Sequence, residues 1–129
     1  MSHIAIRSAF VAAALVLPGV GGKAFAQVDL TAQHVSVPSG LSSNDDVRVD
    51  VDGQFPTPCY HEAEGRTEFD PATNVFTLTP RANVDAGICI QMLMPYATTF
   101  DLGALPAGHY RIKTPGLEAL ERLDIAEPQ

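Results

Sequence analysis

Hydrophobic and polar residues alternate through most of the chain after residue 26, and a period of two predicts β-strands. The clearest case is residues 47–51, where three valines alternate with Arg48 and Asp50. This segment is expected to be a strand with one buried face. About seven or eight short strands follow one another, with turn signals roughly every ten residues. The pattern therefore predicts an all-β fold, an antiparallel β-sandwich.

The first half of the pattern carries three local expectations. Residues 28–37 predict one strand with an irregularity near His34, and the next strand is expected to have a bulge at Gly53. Residues 56–58 contain two prolines, which lack the N–H groups that a central strand needs. This segment is therefore expected at a sheet edge or at a crossing between two sheets.

The second half of the pattern carries three further local expectations. Pro80 is expected to end the strand at residues 75–79, and residues 81–87 are expected to form a polar loop. Residues 88–94 have apolar side chains at both odd and even positions, and therefore on both faces of a strand. This predicts a strand buried at the centre of a sheet. Residues 117–125 fit either a helical turn or a closing strand. We favour the strand because the segment lacks helix caps.

The first 26 residues have the features of a cleaved secretory signal peptide. Arg7 precedes a short apolar run at residues 9–17, and Ala24-Phe25-Ala26 has the small-x-small pattern that signal peptidase cleaves. The run is shorter than the roughly 20 residues needed to cross a bilayer. We therefore expect a periplasmic or secreted protein, one domain over residues 27–129, and no membrane insertion after cleavage.

The expected mature chain is strongly acidic. It keeps six of the eight lysines and arginines and all fifteen acids, so its net charge is −9. Nucleic acids and anionic membranes bind basic patches, so neither is expected as a partner. Acidic charge of this kind commonly keeps an exported protein soluble.

Cys59 and Cys89 are the two cysteines of the chain. In an oxidising compartment an even number of cysteines predicts a disulfide. The alternative is a metal or redox pair, which usually shows Cys-x-x-Cys or histidines at a fixed spacing, and neither pattern is present. A disulfide closing a loop of about 31 residues would stabilise the domain by roughly 3–4 kcal/mol.

The residues able to support chemistry do not have the spacing of a known site. His34, His61, His109, Met92 and Met94 could supply soft ligands for copper, but cupredoxin-like spacing is absent. We therefore expect no metal and no cofactor.

Carboxylates allow two further hypotheses. The aspartates of residues 45–52 could bind calcium, but an EF-type order of ligands is absent. Glu62 and Glu64 would lie on one strand face about 7 Å apart, within the range of an inverting hydrolase. Such pairs work in clefts, and a narrow sandwich does not predict one. A non-enzymatic protein is therefore expected.

Residues 105–112, Leu-Pro-Ala-Gly-His-Tyr-Arg-Ile, resemble the corner of fibronectin type III and related Ig-like domains. The resemblance implies that Tyr110 is the corner tyrosine, with its ring buried and its hydroxyl bonded to the backbone of the preceding turn. Leu105 would pack beneath it. Tyr60 and Tyr96 lie outside this corner, and we expect them to tolerate replacement by Phe better.

A longer part of the chain resembles small exported bacterial Ig-like modules, through residues 49–60, 87–91 and 100–110. The resemblance covers residues 47–112 and implies an Ig-like antiparallel sandwich of about seven strands. Sandwiches host many unrelated roles. The resemblance therefore implies an exported interaction or accessory module, whose partner would be another exported protein.

Two alternative functions stay open. One is a small exported metal-binding protein, and the other is an inhibitor of an extracellular enzyme whose loop at residues 81–87 would plug an active site. The best binding candidate is the proline-rich segment at residues 56–60, although protection of a sheet edge also explains it.

Overall fold

A computed structural model describes residues 25–128, which form nine β-strands. Apart from Phe25 and Ala26, the predicted signal peptide lies outside the described residues. Within the described range no helix is long and apolar enough to cross a membrane. The strands are β1 (Phe25–Asp29), β2 (His34–Ser36), β3 (Leu41–Ser42), β4 (Asp46–Phe55), β5 (Tyr60–Asp70), β6 (Val75–Asp85), β7 (Met94–Ala104), β8 (Gly108–Lys113) and β9 (Glu121–Ala126).

The strands form two sheets, and this confirms the predicted β-sandwich. The smaller sheet has the order β2-β4-β7, and the larger has β1-β6-β8-β9-β3 with β5 also paired to β6. β5 occupies one edge of β6, while β1 and β8 share the other edge. Two pairs, β6 with β8 and β3 with β9, are parallel. The sandwich is therefore mixed rather than wholly antiparallel, and its strands outnumber the expected seven.

The core lies between the sheets. Val47, Val49 and Val51 are fully buried, as their alternation with charged residues predicts. They pack in the main cluster with the fully buried Leu78 and Ile112. A smaller cluster contains Leu30, Phe55, Ala82 and Tyr96.

The predicted strand at residues 28–37 is two strands in different sheets. β1 pairs with β6 in the larger sheet, and β2 pairs with β4 in the smaller one. Between them the Leu30 N–H donates to the Pro80 carbonyl at 2.7 Å, and the Gln33 N–H donates to the Asp52 carbonyl at 2.8 Å. The irregularity expected near His34 is therefore a switch of the chain from one sheet to the other.

Pro80 does not end its strand, because β6 continues to Asp85. The predicted loop at residues 81–87 is therefore wrong over most of its length. The register between β5 and β6 shifts opposite Pro80, where residues 64–65 face one β6 residue. A bulge of this kind interrupts the ladder at the position where proline has no N–H to donate.

The bulge expected at Gly53 is not there, because β4 and β7 pair without interruption at that residue. The register shift in β4 falls between Val47 and Arg48 instead. A Cβ on Gly53 would lie 2.8 Å from the Tyr96 ring. Gly53 therefore permits the close approach of an aromatic ring.

The C-terminal segment adds a strand to the larger sheet. β9 pairs with β8 in antiparallel orientation and with β3 in parallel. The strand favoured for residues 117–125 is thus confirmed from Glu121 onward, whereas residues 117–120 are irregular.

Candidate functional site

Residues 86–93 form an exposed loop that connects β6 to β7. Ile88 is fully exposed, and the exposed fractions of Ile90, Met92 and Leu93 are 65%, 47% and 63%. The buried central strand predicted for residues 88–94 is therefore wrong. Because β6 reaches the end of its sheet at Asp85 and β7 begins in the other sheet, this segment joins the two sheets outside the core.

A disulfide between Cys59 and Cys89 ties the middle of this loop to the start of β5. The two Cα atoms are 6.1 Å apart. The base of the loop is held as well, because the Asp85 N–H donates to the Cys59 carbonyl at 3.0 Å. Residues 56–59 link the smaller sheet to the larger one, so the predicted crossing between sheets is confirmed.

An open groove of about 540 Å³ lies beside the loop. Its apolar lining consists of Val28, Leu30, Pro56, Tyr60 and Leu93, and its polar lining of Asp29, Thr31, Gln33 and Gln54. Leu93 belongs to both the loop and the groove, so the two are continuous. Residues 86–93 and the five apolar lining residues are called the loop end below.

Stacked aromatic rings support the floor of the loop end. Phe55 stacks on Tyr96 with ring centroids 5.0 Å apart, and on Tyr60 at 5.8 Å. The Tyr96 hydroxyl donates a hydrogen bond of 2.7 Å to the Thr31 carbonyl. Burial, with a smaller effect from the Asp52 charge, raises the pKa of Tyr96 to about 12. Tyr96 is therefore, like Tyr110, a buried tyrosine whose hydroxyl donates to a backbone carbonyl.

The three histidines of the described residues lie apart, each beside its own aspartate. The pairs and their nitrogen–oxygen distances are His34–Asp52 at 2.9 Å, His61–Asp85 at 2.8 Å and His109–Asp124 at 2.8 Å. The hydrogen bond with His109 lowers the pKa of the Asp124 carboxyl.

The proposed copper ligands are therefore not brought together. Met92 is exposed on the loop, while Met94 packs against the smaller core cluster. Within residues 25–128, no group of three or more His, Cys, Asp or Glu side chains could hold a metal.

The aspartates considered for calcium make local contacts instead. Asp45 accepts the Ser42 N–H at 2.8 Å, and Asp50 accepts the Thr99 hydroxyl at 2.7 Å. Asp46 pairs with Arg48 at 3.2 Å. Asp52 binds the His34 ring. These carboxylates thus stabilise a turn and the outer face of the smaller sheet.

The corner residues lie where β7 turns into β8, at the end of β7 far from the loop. Tyr110 is buried and its hydroxyl donates to the Pro106 carbonyl at 2.7 Å. Leu105 is buried in the same core cluster as Tyr110. The geometry gives both residues a structural position, remote from the loop end.

The exposure of the loop end was not predicted from the sequence. The apolar run at residues 88–94 could have signalled it, together with the cysteine at its centre, since a disulfide can hold an irregular segment in place of strand pairing. The proline-rich segment was the better guide, because Pro56 and Tyr60 line the groove.

Comparison with family models matches residues 49–120, more than half of the chain, to the ORF11 beta-sandwich domain. The matched range includes both cysteines and the whole exposed loop. Neither the curated proteins nor the solved structures yielded a match. Two packed sheets and a family match of this extent lead to one conclusion: the chain belongs to the ORF11 beta-sandwich domain family.

Proposed function

We propose that this protein is an exported, non-enzymatic accessory module that binds another exported protein through the loop end. The observation that carries the proposal is the set of four exposed apolar side chains at residues 88–93. Burying a side chain of this kind is worth about 1.5–3 kcal/mol. Contiguous apolar surface left in water commonly marks an interaction site.

The disulfide is the second support, because it holds this surface in place. A loop that is already ordered loses less conformational entropy when a partner binds. The bond is also compatible with an oxidising compartment, which fits export. The hydrogen bond from Tyr110 to the Pro106 carbonyl supports an Ig-like type of sandwich, because Ig-like domains have a tyrosine corner with this kind of bond.

A binding role suits the loop end better than catalysis does. Asp29 and Tyr60 are the titratable residues among those lining its groove, and the remaining polar groups are amides and a hydroxyl. Catalysis of hydrolysis needs a nucleophile or an acid–base pair in reach of each other. The groove is open and largely apolar, which suits contact with a side chain of another protein.

Photocrosslinking in the producing cell tests this proposal. The crosslinking residue p-benzoylphenylalanine replaces Ile90 in one variant and Leu120 in a control. Leu120 is also exposed, but lies in a groove around the opposite end of β6. We expect a discrete adduct with one exported protein at position 90 and not at position 120.

A second pair of variants checks that the adduct reports binding. Ile88→Asp should remove the adduct at position 90, whereas Leu120→Asp should leave it unchanged. Absence of an adduct at position 90, or equal adducts at both positions, contradicts the proposed function.

A further inference from the structure

We infer that the protein bound by the loop end has an apolar cleft bordered by lysine or arginine side chains. This inference rests on the proposed function and adds the chemistry of the partner. It follows from the charges on β5, the strand to which the disulfide ties the loop.

Two unpaired acids lie on the strand to which the loop is tied. Glu62 and Glu64 are exposed on β5, three and five residues after Cys59. At a strand rise of about 3.3 Å per residue, Glu62 is roughly 10 Å along the strand from Cys59. The Cα of Cys59 is itself 6.1 Å from that of Cys89 in the loop. These lengths place Glu62 at most about 16 Å from Cys89, and the rim of an ordinary interface, which buries about 800 Å² on each partner, reaches that far.

The arginines nearest these acids are engaged elsewhere. Arg66 pairs with Asp29 at 3.3 Å and with Glu68 at 3.1 Å. Arg81 lies 3.3 Å from Asp29. Among the described residues, neither Glu62 nor Glu64 takes part in an ion pair. Their negative charge is therefore available to a partner.

The same charge argues against other occupants of the loop end. An anionic membrane would be repelled by Glu62 and Glu64 and by the net charge of −9 over residues 27–129. A second copy would bring two like-charged surfaces together, which is unfavourable. A cleft with a basic border avoids both penalties, and opposite charges also raise the association rate.

The experiment measures association kinetics between this protein and the purified protein crosslinked at position 90. The double variant Glu62→Gln/Glu64→Gln is compared with Glu118→Gln/Glu121→Gln, which neutralises two exposed acids away from the loop end. We expect the first variant to slow association about three- to tenfold in low salt, with little change in dissociation. The difference should shrink in high salt, and the control variant should match the wild type.

The outcomes separate the two proposals. Equal association rates for both double variants, with binding still abolished by Ile88→Asp, overturn the basic border and leave the proposed function standing. The absence of a crosslinked partner at position 90 overturns both. Binding of the wild type to phosphatidylcholine vesicles, or a sedimenting dimer lost in Ile88→Asp, overturns the inference by identifying a different occupant.

Discussion

The Tyr110 hydroxyl donates a hydrogen bond of 2.7 Å to the carbonyl oxygen of Pro106, four residues earlier in the chain. The tyrosine thereby closes the turn that precedes its own strand. Its ring is buried against Phe76, with ring centroids 5.8 Å apart. One side chain thus joins the connection between β7 and β8 to the core.

Replacing Tyr110 by Phe should lower the free energy of unfolding by about 1–3 kcal/mol, because the Pro106 carbonyl loses its donor. Urea unfolding followed by circular dichroism measures the change. Tyr60→Phe is the matched control, since the Tyr60 side chain is only half-buried. A Tyr110→Phe protein as stable as the control would show that this bond contributes nothing measurable.

We expect the folded protein to lose stability in alkaline solution as the Tyr96 phenol ionises. Burial first, and the Asp52 charge second, raise its pKa from 10.0 to about 12. The folded state therefore favours the neutral phenol, and this contribution is complete below about pH 10 and is lost as pH rises toward 12. By linkage, the folded protein therefore loses stability as pH rises through this range.

Unfolding measured at several pH values checks this prediction. Between about pH 10 and pH 12 the wild type should lose stability more steeply than Tyr96→Phe, which has no phenol to ionise. Parallel curves for the two proteins would contradict the assignment.

The disulfide should contribute substantially to stability. Replacing both Cys59 and Cys89 by Ser should lower the free energy of unfolding by about 2–5 kcal/mol, because the unfolded chain is no longer constrained. Hydrogen exchange should quicken within residues 86–93, which the bond ties to β5. Full reaction of the native wild type with a thiol probe would show that the bond is absent.

We expect any larger residue at position 65 to destabilise the fold, because the Phe100 ring lies over Gly65. A Cβ at this position would lie 2.5 Å from a ring carbon of Phe100 and 2.9 Å from the Thr79 carbonyl oxygen. Gly65→Ala should therefore cost about 1–3 kcal/mol through overpacking. A double-mutant cycle measures the coupling: the cost should fall in a Phe100→Leu background. Strictly additive effects would mean that the ring is not the cause.

We predict export with cleavage after Ala26, so the mature chain should begin at Gln27, since Ala24 and Ala26 form the small pair that follows the apolar run. Mass spectrometry of protein recovered from the periplasm or medium determines its N-terminus. Recovery of the chain with Met1 intact would contradict the predicted cleavage.

The alternation of apolar and polar residues was enough to predict a β-sandwich and its principal buried face. Val47, Val49 and Val51 show why, because a strand sends successive side chains to opposite sides whatever its neighbours are. The crossing at the proline-rich segment was predictable for a similar reason. Proline cannot donate to a ladder, and this is a property of the residue alone.

The tertiary structure decided which strands pair and which apolar residues stay exposed. Pro80 remains within β6 only because the partner strand bulges opposite it, and residues 28–37 divide because the chain changes sheets. Residues 88–93 are as apolar as a buried strand, yet they connect two sheets and are tied by Cys89. Pairing and burial depend on residues distant in sequence, so local periodicity predicted the strands but not the loop end.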